Sequence, residues 1–181
     1  MNIFLIGFMG TGKSSLGKKL AKRLNMHFID SDQAIELDSQ LSIPEIFSQQ
    51  GEAGFRTLEH VWLEKVEDQN AVIALGGGTP CFMDNMALIQ EKGISIHLVL
   101  SIGNITNRLW EAKTPRPLLK PYLNNKEALA TFISKSMAQR LPFYRGADIT
   151  FEASNMKAVK LDLLVKMIED QINLKNAKIH H

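Results

Sequence analysis

The sequence predicts an α/β fold, a three-layer α/β/α sandwich built on a parallel sheet. Three observations lead there. Five short apolar runs punctuate the chain, at residues 3–6, 27–29, 71–75, 94–100 and 149–151. Amphipathic helical patterns lie between them, and a parallel strand pair needs such a crossover. A glycine-rich turn joins the first run to the first helical pattern, Gly7 to Ser14. The length of 181 residues suits one domain spanning 1–181.

In order, Ile3 to Ile6 forms the first strand, and Leu16, Leu20 and Leu24 then recur every four residues on one helix face. Lys18, Lys19, Lys22 and Arg23 take the other faces. After the second strand, Ser42-Ile43-Pro44-Glu45 reads as a capping box with proline in the first helical turn. The segment from Glu111 to Lys126 is irregular, with Pro115, Pro117 and Pro121 among Lys113, Arg116, Lys120 and Lys126. It is either a surface loop or a lid, depending on what lies beneath it. The last helix presents Leu161, Leu164, Val165, Ile168 and Ile172 on one stripe.

Composition narrows the function classes. A 45% hydrophobic and 22% charged chain is ordinary for a globular protein and excludes wholesale disorder. A net charge of +2 is too mild for binding along a nucleic-acid backbone, though it leaves room for a local anion site. The single cysteine, Cys81, excludes an internal disulfide framework and a multi-cysteine zinc cluster. No apolar run approaches a membrane span, and Met1 to Ile6 lacks the basic leader of a signal peptide. The expectation is a cytoplasmic protein without membrane or nucleic-acid partners. With no long exposed apolar seam, the default is a monomer.

Gly7-Phe8-Met9-Gly10-Thr11-Gly12-Lys13-Ser14 satisfies G-x-x-x-x-G-K-[ST], between a strand and a helix as that motif requires. Its amides curl into an anion nest, and the helix N-terminus adds donors and positive potential. Lys13 can bridge β- and γ-phosphates, and the Ser14 hydroxyl can ligate Mg²⁺. The chain lacks the N-K-x-D signal of a GTPase and the Walker B Asp-Glu pair of a motor ATPase. A small-molecule kinase fits best.

Three clusters suggest its acceptor. Phe28-Ile29-Asp30-Ser31-Asp32 ends the second strand, where ligands bind in open α/β sheets. One carboxylate can order water around Mg²⁺ while the other accepts hydrogen bonds from a substrate hydroxyl; Asp32 as a helix N-cap is the plainer reading, and the two are compatible. Arg56 and Glu59 are spaced i,i+3, so the carboxylate can hold the guanidinium for an anionic substrate, or the pair is a solvated surface contact. Gly76-Gly77-Gly78 ends the third strand and either admits a ligand against backbone or makes an ordinary turn.

These segments together resemble the shikimate kinases. GFMGTGKSS, FIDSD, SIPEIF, GFRTLE, VIALGGGT, TPRPLL and Arg140-Leu141-Pro142-Phe143-Tyr144 occur in that family's order, from about Asn2 to Ala153. The resemblance implies a P-loop NTPase-type fold with a five-stranded parallel sheet in 2-3-1-4-5 order. It implies transfer of the ATP γ-phosphoryl group to the 3-hydroxyl of shikimate, with Mg²⁺, in aromatic amino-acid biosynthesis. By the same likeness Gly10, Thr11, Gly12, Lys13, Ser14 and Ser15 hold the ATP phosphates, and Ser14 ligates the metal, which Asp30 supports through water. Asp32 contacts the acceptor hydroxyls and is the general-base candidate. Arg56 and Arg140 clamp the shikimate carboxylate, and Gly77 and Gly78 supply backbone to the ring. Arg116 reaches the transferring phosphate from a lid at about 111–126, and the substrate region spans about 31–60. Arg108 corresponds to a base-stacking arginine, and an adenine-contacting segment falls near Ser154 to Lys157. Ser15 stands where many members of that family carry Thr and keeps the hydroxyl.

Other residues read as structural. Cys81 is a small apolar filler. His27, His60 and His97 lack ligand spacing with acidic partners. Trp62 and Trp110 read as packing. Met9, Phe47 and Phe55 can wall the acceptor pocket. His180 and His181 are either native or the stub of a purification tag. Two other functions compete: a kinase for another hydroxy acid such as gluconate, and a non-catalytic nucleotide-binding module. Retention of Lys13, Ser14, Asp30, Asp32 and Arg116 argues against the second.

Overall fold

The computed structural model describes residues 1–112 and 117–179. Arg116 lies outside the described residues, as do His180 and His181.

The elements run β1 (Asn2–Ile6), α1 (Lys13–Leu24), β2 (His27–Asp30), α2 (Ser31–Ser39), α3 (Ile43–Lys65) and β3 (Ala71–Ala74). A 3₁₀ turn (Thr79–Cys81) leads to α4 (Asn85–Lys92), β4 (Gly93–Val99) and α5 (Ile102–Trp110). A second 3₁₀ segment (Pro117–Tyr122) precedes α6 (Lys126–Tyr144), β5 (Ile149–Glu152) and α7 (Ala158–Ile179). All four strand pairings are parallel, in the order β2-β3-β1-β4-β5. Each expected strand is found within a residue of its sequence limits; β1, β3 and β4 are buried apolar runs, whereas the edge strands β2 and β5 are partly exposed.

The central strand shows how the layers form. Along β1, Ile3 and Leu5 pack with Leu16 and Leu20 of α1 and with Leu164, Val165 and Ile168 of α7. Phe4 and Ile6 point the other way, against Leu63 of α3, Ile89 of α4 and Tyr144 of α6. A two-residue period with both phases apolar is what a strand covered on both faces demands. Trp62 packs against the core. Trp110 does not: at the end of α5 it is 37% exposed, a departure from its reading as packing.

Two polar residues fasten the lower edge of the sheet, Asn2 fully buried and Asp148 partly so. Asn2 Oδ1 accepts from Gln69 N (3.1 Å) and Ala71 N (3.3 Å), while its Nδ2 donates to Glu67 O (2.7 Å). Asp148 accepts from Ser95 N (2.8 Å) and Ser95 Oγ (2.7 Å), and Lys175 lies 3.2 Å away. Burial works against the Asp148 charge, but these donors and Lys175 outweigh it and hold its pKa below the usual value. At the start of α3, the Glu45 carboxylate accepts from Ser42 N (2.8 Å), the reciprocal half of the expected capping box.

At the upper edge the chain leaves β1 through Gly7, at φ 136°, where a Cβ would lie 2.7 Å from Leu98 O. Only glycine is compatible with both conditions. His97, beside it on β4, packs at a tilt against the Tyr144 ring, the ring centres 4.8 Å apart. Burial, and then the charge of Lys13, lower its pKa from 6.5 to about 4. Because the folded state disfavours the charged imidazole, stability is full above pH 6.5 and declines as the pH falls from 6.5 toward 4. A His97→Asn variant is expected to show a shallower loss of unfolding free energy across that interval, read by denaturant melts at several pH values. An unchanged slope overturns this assignment.

Candidate active site

The loop from Gly7 to Gly12 feeds directly into α1, so its amides and the first-turn donors of the helix converge on one concavity. A cavity of about 390 Å³ lies over it, lined by Gly10, Gly12, Lys13, Ser14, Ser15, Asp30 and Arg108 among others. Lys13 Nζ donates to Gly7 O (2.7 Å) and Phe8 O (3.1 Å), folded over its own loop. Arg108, exposed on α5, reaches Gly10 O (3.2 Å) through Nη1. Thr11 is buried, and its hydroxyl donates to Phe8 O (2.8 Å). It therefore braces the loop from within. A neighbouring cavity of about 250 Å³ runs from Gly12 and Ser15 past Arg108 to Ala153 and Met156, next to the expected adenine segment.

The two aspartates at the end of β2 separate in role. Asp30, not Asp32, is the N-cap of α2: its Oδ1 accepts from Asp32 N at 3.2 Å. The N-cap reading of Asp32 is thereby corrected. Asp30 Oδ2 accepts from Ser14 Oγ at 2.6 Å, placing two hard oxygen donors beside the cradle. Asp32, in the first turn of α2, lines both the cradle cavity and a second cavity of about 410 Å³. Met9, Gly76 and Gly77 also line both, so the two cavities meet there.

The second cavity is walled by Met9, Phe47 and Phe55, as the sequence reading expects, and holds both arginines. Its helix, α3, kinks at Gly51, where φ is 69°. Arg56, 12% exposed, donates through Nη1 to the fully buried Glu59 and through Nη2 to Glu52 at 3.0 Å. Burial alone would lower the pKa of Arg56; its two glutamate partners reverse the sign and raise it. This is a held guanidinium and not a solvated surface pair. Arg140, at the end of α6, lies with its guanidinium 5.1 Å from the Phe8 ring centre. Its Nη1 is buried and has no hydrogen-bond partner among the described residues.

The glycine triplet serves protein side chains as much as a ligand. A Cβ on Gly78 would lie 2.4 Å from Arg56 Cζ, so no other residue permits the guanidinium to rest there. Gly77 faces Arg140, and its carbonyl accepts from Tyr144 Oη at 2.5 Å. Sequence reasoning missed three members of the site. Tyr144 fixes the triplet; Leu118 brings the end of the irregular segment to the acceptor cavity. Glu36 lines that cavity too, and its Oε1 accepts from Ile43 N at 2.8 Å, joining α2 to α3. The LL of TPRPLL and the tyrosine of R-x-P-x-Y were signals for two of them; nothing marks Glu36. Cys81 is half-buried beside this site, and burial pushes its thiol up to about 11, as an inert filler would be.

A phosphate cradle that opens onto a cavity with two arginines defines a P-loop phosphotransferase for a small anionic acceptor. Comparison with known proteins agrees. The family model for shikimate kinase matches residues 9–171. The shikimate kinase of Parabacteroides distasonis is 41% identical over 155 residues, 85% of this chain and 88% of that one. The crystal structure of shikimate kinase from Bacteroides thetaiotaomicron superposes with a TM-score of 0.85 at 36% identity, covering 96% and 98% of the two chains. That of the Acinetobacter baumannii enzyme in complex with shikimate gives 0.77 at 34%, covering 97% and 93%. The chain belongs to the shikimate kinase family.

Proposed function

We propose that the protein transfers the γ-phosphoryl group of ATP to the 3-hydroxyl of shikimate, giving shikimate 3-phosphate and ADP for aromatic amino-acid biosynthesis. The observation that carries this reading is that Arg140, whose buried Nη1 has no hydrogen-bond partner among the described residues, lines the same cavity as the held Arg56. A buried guanidinium donor left open is costly unless an anion completes it. A carboxylate matches the fork geometry of both arginines.

In this reading Gly10 to Ser15 and Arg108 receive the ATP phosphates, and Lys13 exchanges its loop carbonyls for the γ-phosphate. Ser14 and Asp30 suit a hard cation: both offer oxygen, they already touch, and they border the phosphate cavity. Mg²⁺ held there with ATP would supply charge neutralisation for the transferring phosphoryl group. Arg56 and Arg140 hold the acceptor carboxylate, and the backbone at Gly77 and Gly78 meets the ring. Asp32, where the two cavities meet, accepts the hydrogen bond of the attacking hydroxyl and takes its proton as the new ester forms. The family likeness assigns residues 31–60 to the acceptor region, 111–126 to a lid, and Arg116, outside the described residues, to the transferring phosphate. No described helix is long and apolar enough to cross a membrane, and we assign a monomer acting in the cytoplasm.

Coupled ADP release with Mg²⁺ and ATP, comparing shikimate, gluconate and no acceptor, tests the assignment. The expected result is release driven by shikimate, reduced about a thousandfold or more in Asp32→Ala. Release driven by gluconate instead overturns the acceptor; full activity in Asp32→Ala overturns its role.

A further inference from the structure

Glu59 binds more than Arg56. Its side chain is fully buried, so no water is available to satisfy the carboxylate. One oxygen accepts from Arg56 Nη1 and the other from Thr79 Oγ1, which is itself 1% exposed. Thr79 opens the 3₁₀ turn that follows the glycine triplet, its N–H donating to Gly76 O at 3.2 Å. The Glu59 oxygen that accepts from Thr79 lies close against the chain at Gly76, where a Cβ would sit 2.3 Å from Glu59 Oε1.

Thr79 is held in turn. Its carbonyl accepts from Nδ2 of the fully buried Asn85 at 2.8 Å. A carbonyl only accepts, which settles the orientation of the Asn85 amide and turns Oδ1 toward His60 Nδ1, 2.6 Å away. His60 therefore carries a proton on Nδ1. A continuous line of hydrogen bonds runs from Arg56 through Glu59, Thr79 and Asn85 to His60.

Arg56 has two carboxylates to choose between. Glu59 is buried at the cavity wall, while Glu52, one turn earlier on α3, is half-exposed and 3.0 Å from Nη2. Without the Thr79 hydroxyl, one Glu59 oxygen is left bare in a water-free site, and the carboxylate rotates to recover a partner. Arg56 then follows Glu52 toward solvent, away from the acceptor.

We propose that Thr79 is a positioning residue for acceptor recognition: by holding Glu59 it fixes the direction of the Arg56 guanidinium, with Asn85 anchoring Thr79. This rests on the reading of Arg56 as receptor for the acceptor carboxylate. The mechanism parallels the outer partners that orient a metal ligand, here applied to an arginine.

The test is steady-state kinetics of Thr79→Val, which keeps the shape and removes the hydroxyl, and Thr79→Ser, which keeps the hydroxyl. Both are assayed with shikimate and with its neutral carboxamide analogue. With shikimate, Thr79→Val is expected to raise KM about tenfold, with kcat and the KM for ATP changed less than about twofold. Thr79→Ser should recover most of the loss. With the carboxamide, wild type and Thr79→Val should differ by less than about twofold, since no carboxylate is there for Arg56 to grip. An equal rise in KM for both acceptors overturns the proposal in favour of a purely structural hold on the glycine turn. So does an unaltered KM for shikimate. If Thr79→Val does not fold, Thr79→Ala carries the same comparison. Equal KM values for shikimate and carboxamide in the wild type itself would show that the parent reading of Arg56 has failed, whatever Thr79 does.

Discussion

Lys13→Met is expected to lower kcat by about three orders of magnitude while leaving the KM for shikimate within about twofold. The reason is local. Lys13 lies in the cradle cavity, whereas the acceptor cavity is lined by other residues. Charge that develops on the transferring phosphoryl oxygens needs a fixed cation, and methionine fills the same space without one. The substitution also releases the Gly7 and Phe8 carbonyls that Lys13 Nζ now satisfies. Both residues are buried; Phe8 O keeps the Thr11 hydroxyl as a donor, whereas Gly7 O loses that of Lys13, so a modest fall in melting temperature is expected alongside. Stopped or coupled assays of kcat, with ATP affinity measured separately by calorimetry, decide the matter. A kcat loss below tenfold removes Lys13 from the transfer step.

Arg140→Met is expected to raise the KM for shikimate about a hundredfold without lowering the stability of the ligand-free protein. One nitrogen of the Arg140 guanidinium is buried with no partner among the described residues, so its removal relieves an unmet donor and offsets the loss of the contact with Tyr144. The methionine can keep the contact with Phe8 that the guanidinium now makes. Arg56→Met should behave differently in the same melts. Glu59, fully buried, loses its ionic partner, and a cost of about 3 kcal/mol follows from leaving such a charge uncompensated. Two arginines on one acceptor, one neutral and one costly to stability, are thus separated by thermal or denaturant unfolding alone. Equal destabilisation by both variants would mean that Arg140 is also held by the protein, contrary to its role as an open receptor.

Residues that are near in sequence, or that repeat with a period, could be read without coordinates. The five strands, the Leu16–Leu20–Leu24 face and the cradle from Gly7 to Ser14 belong to this class. So does the Arg56–Glu59 pair, three residues apart on one helix. What lay hidden depends on contacts across the fold. Asp30 takes the cap of α2, a choice between two aspartates that propensity does not resolve. Trp110 ends α5 at the surface, because its helical spacing does not reveal which face meets a neighbour. Asn2 closes the approach to β3 from 67 and 69 residues away, and Asp148 reaches Ser95 over 53.

The same division runs through the site. Local pattern determined that this chain folds as strand, cradle and helix, and that a phosphate would meet backbone amides there, because those consequences follow from residues within one turn of each other. Which arginine is held and which is open was decided only by tertiary structure. Glu59 and Thr79 are 20 residues apart, and Tyr144 and Gly77 are 67 apart. Packing brings them together, and burial removes the water that would otherwise make their hydrogen bonds exchangeable.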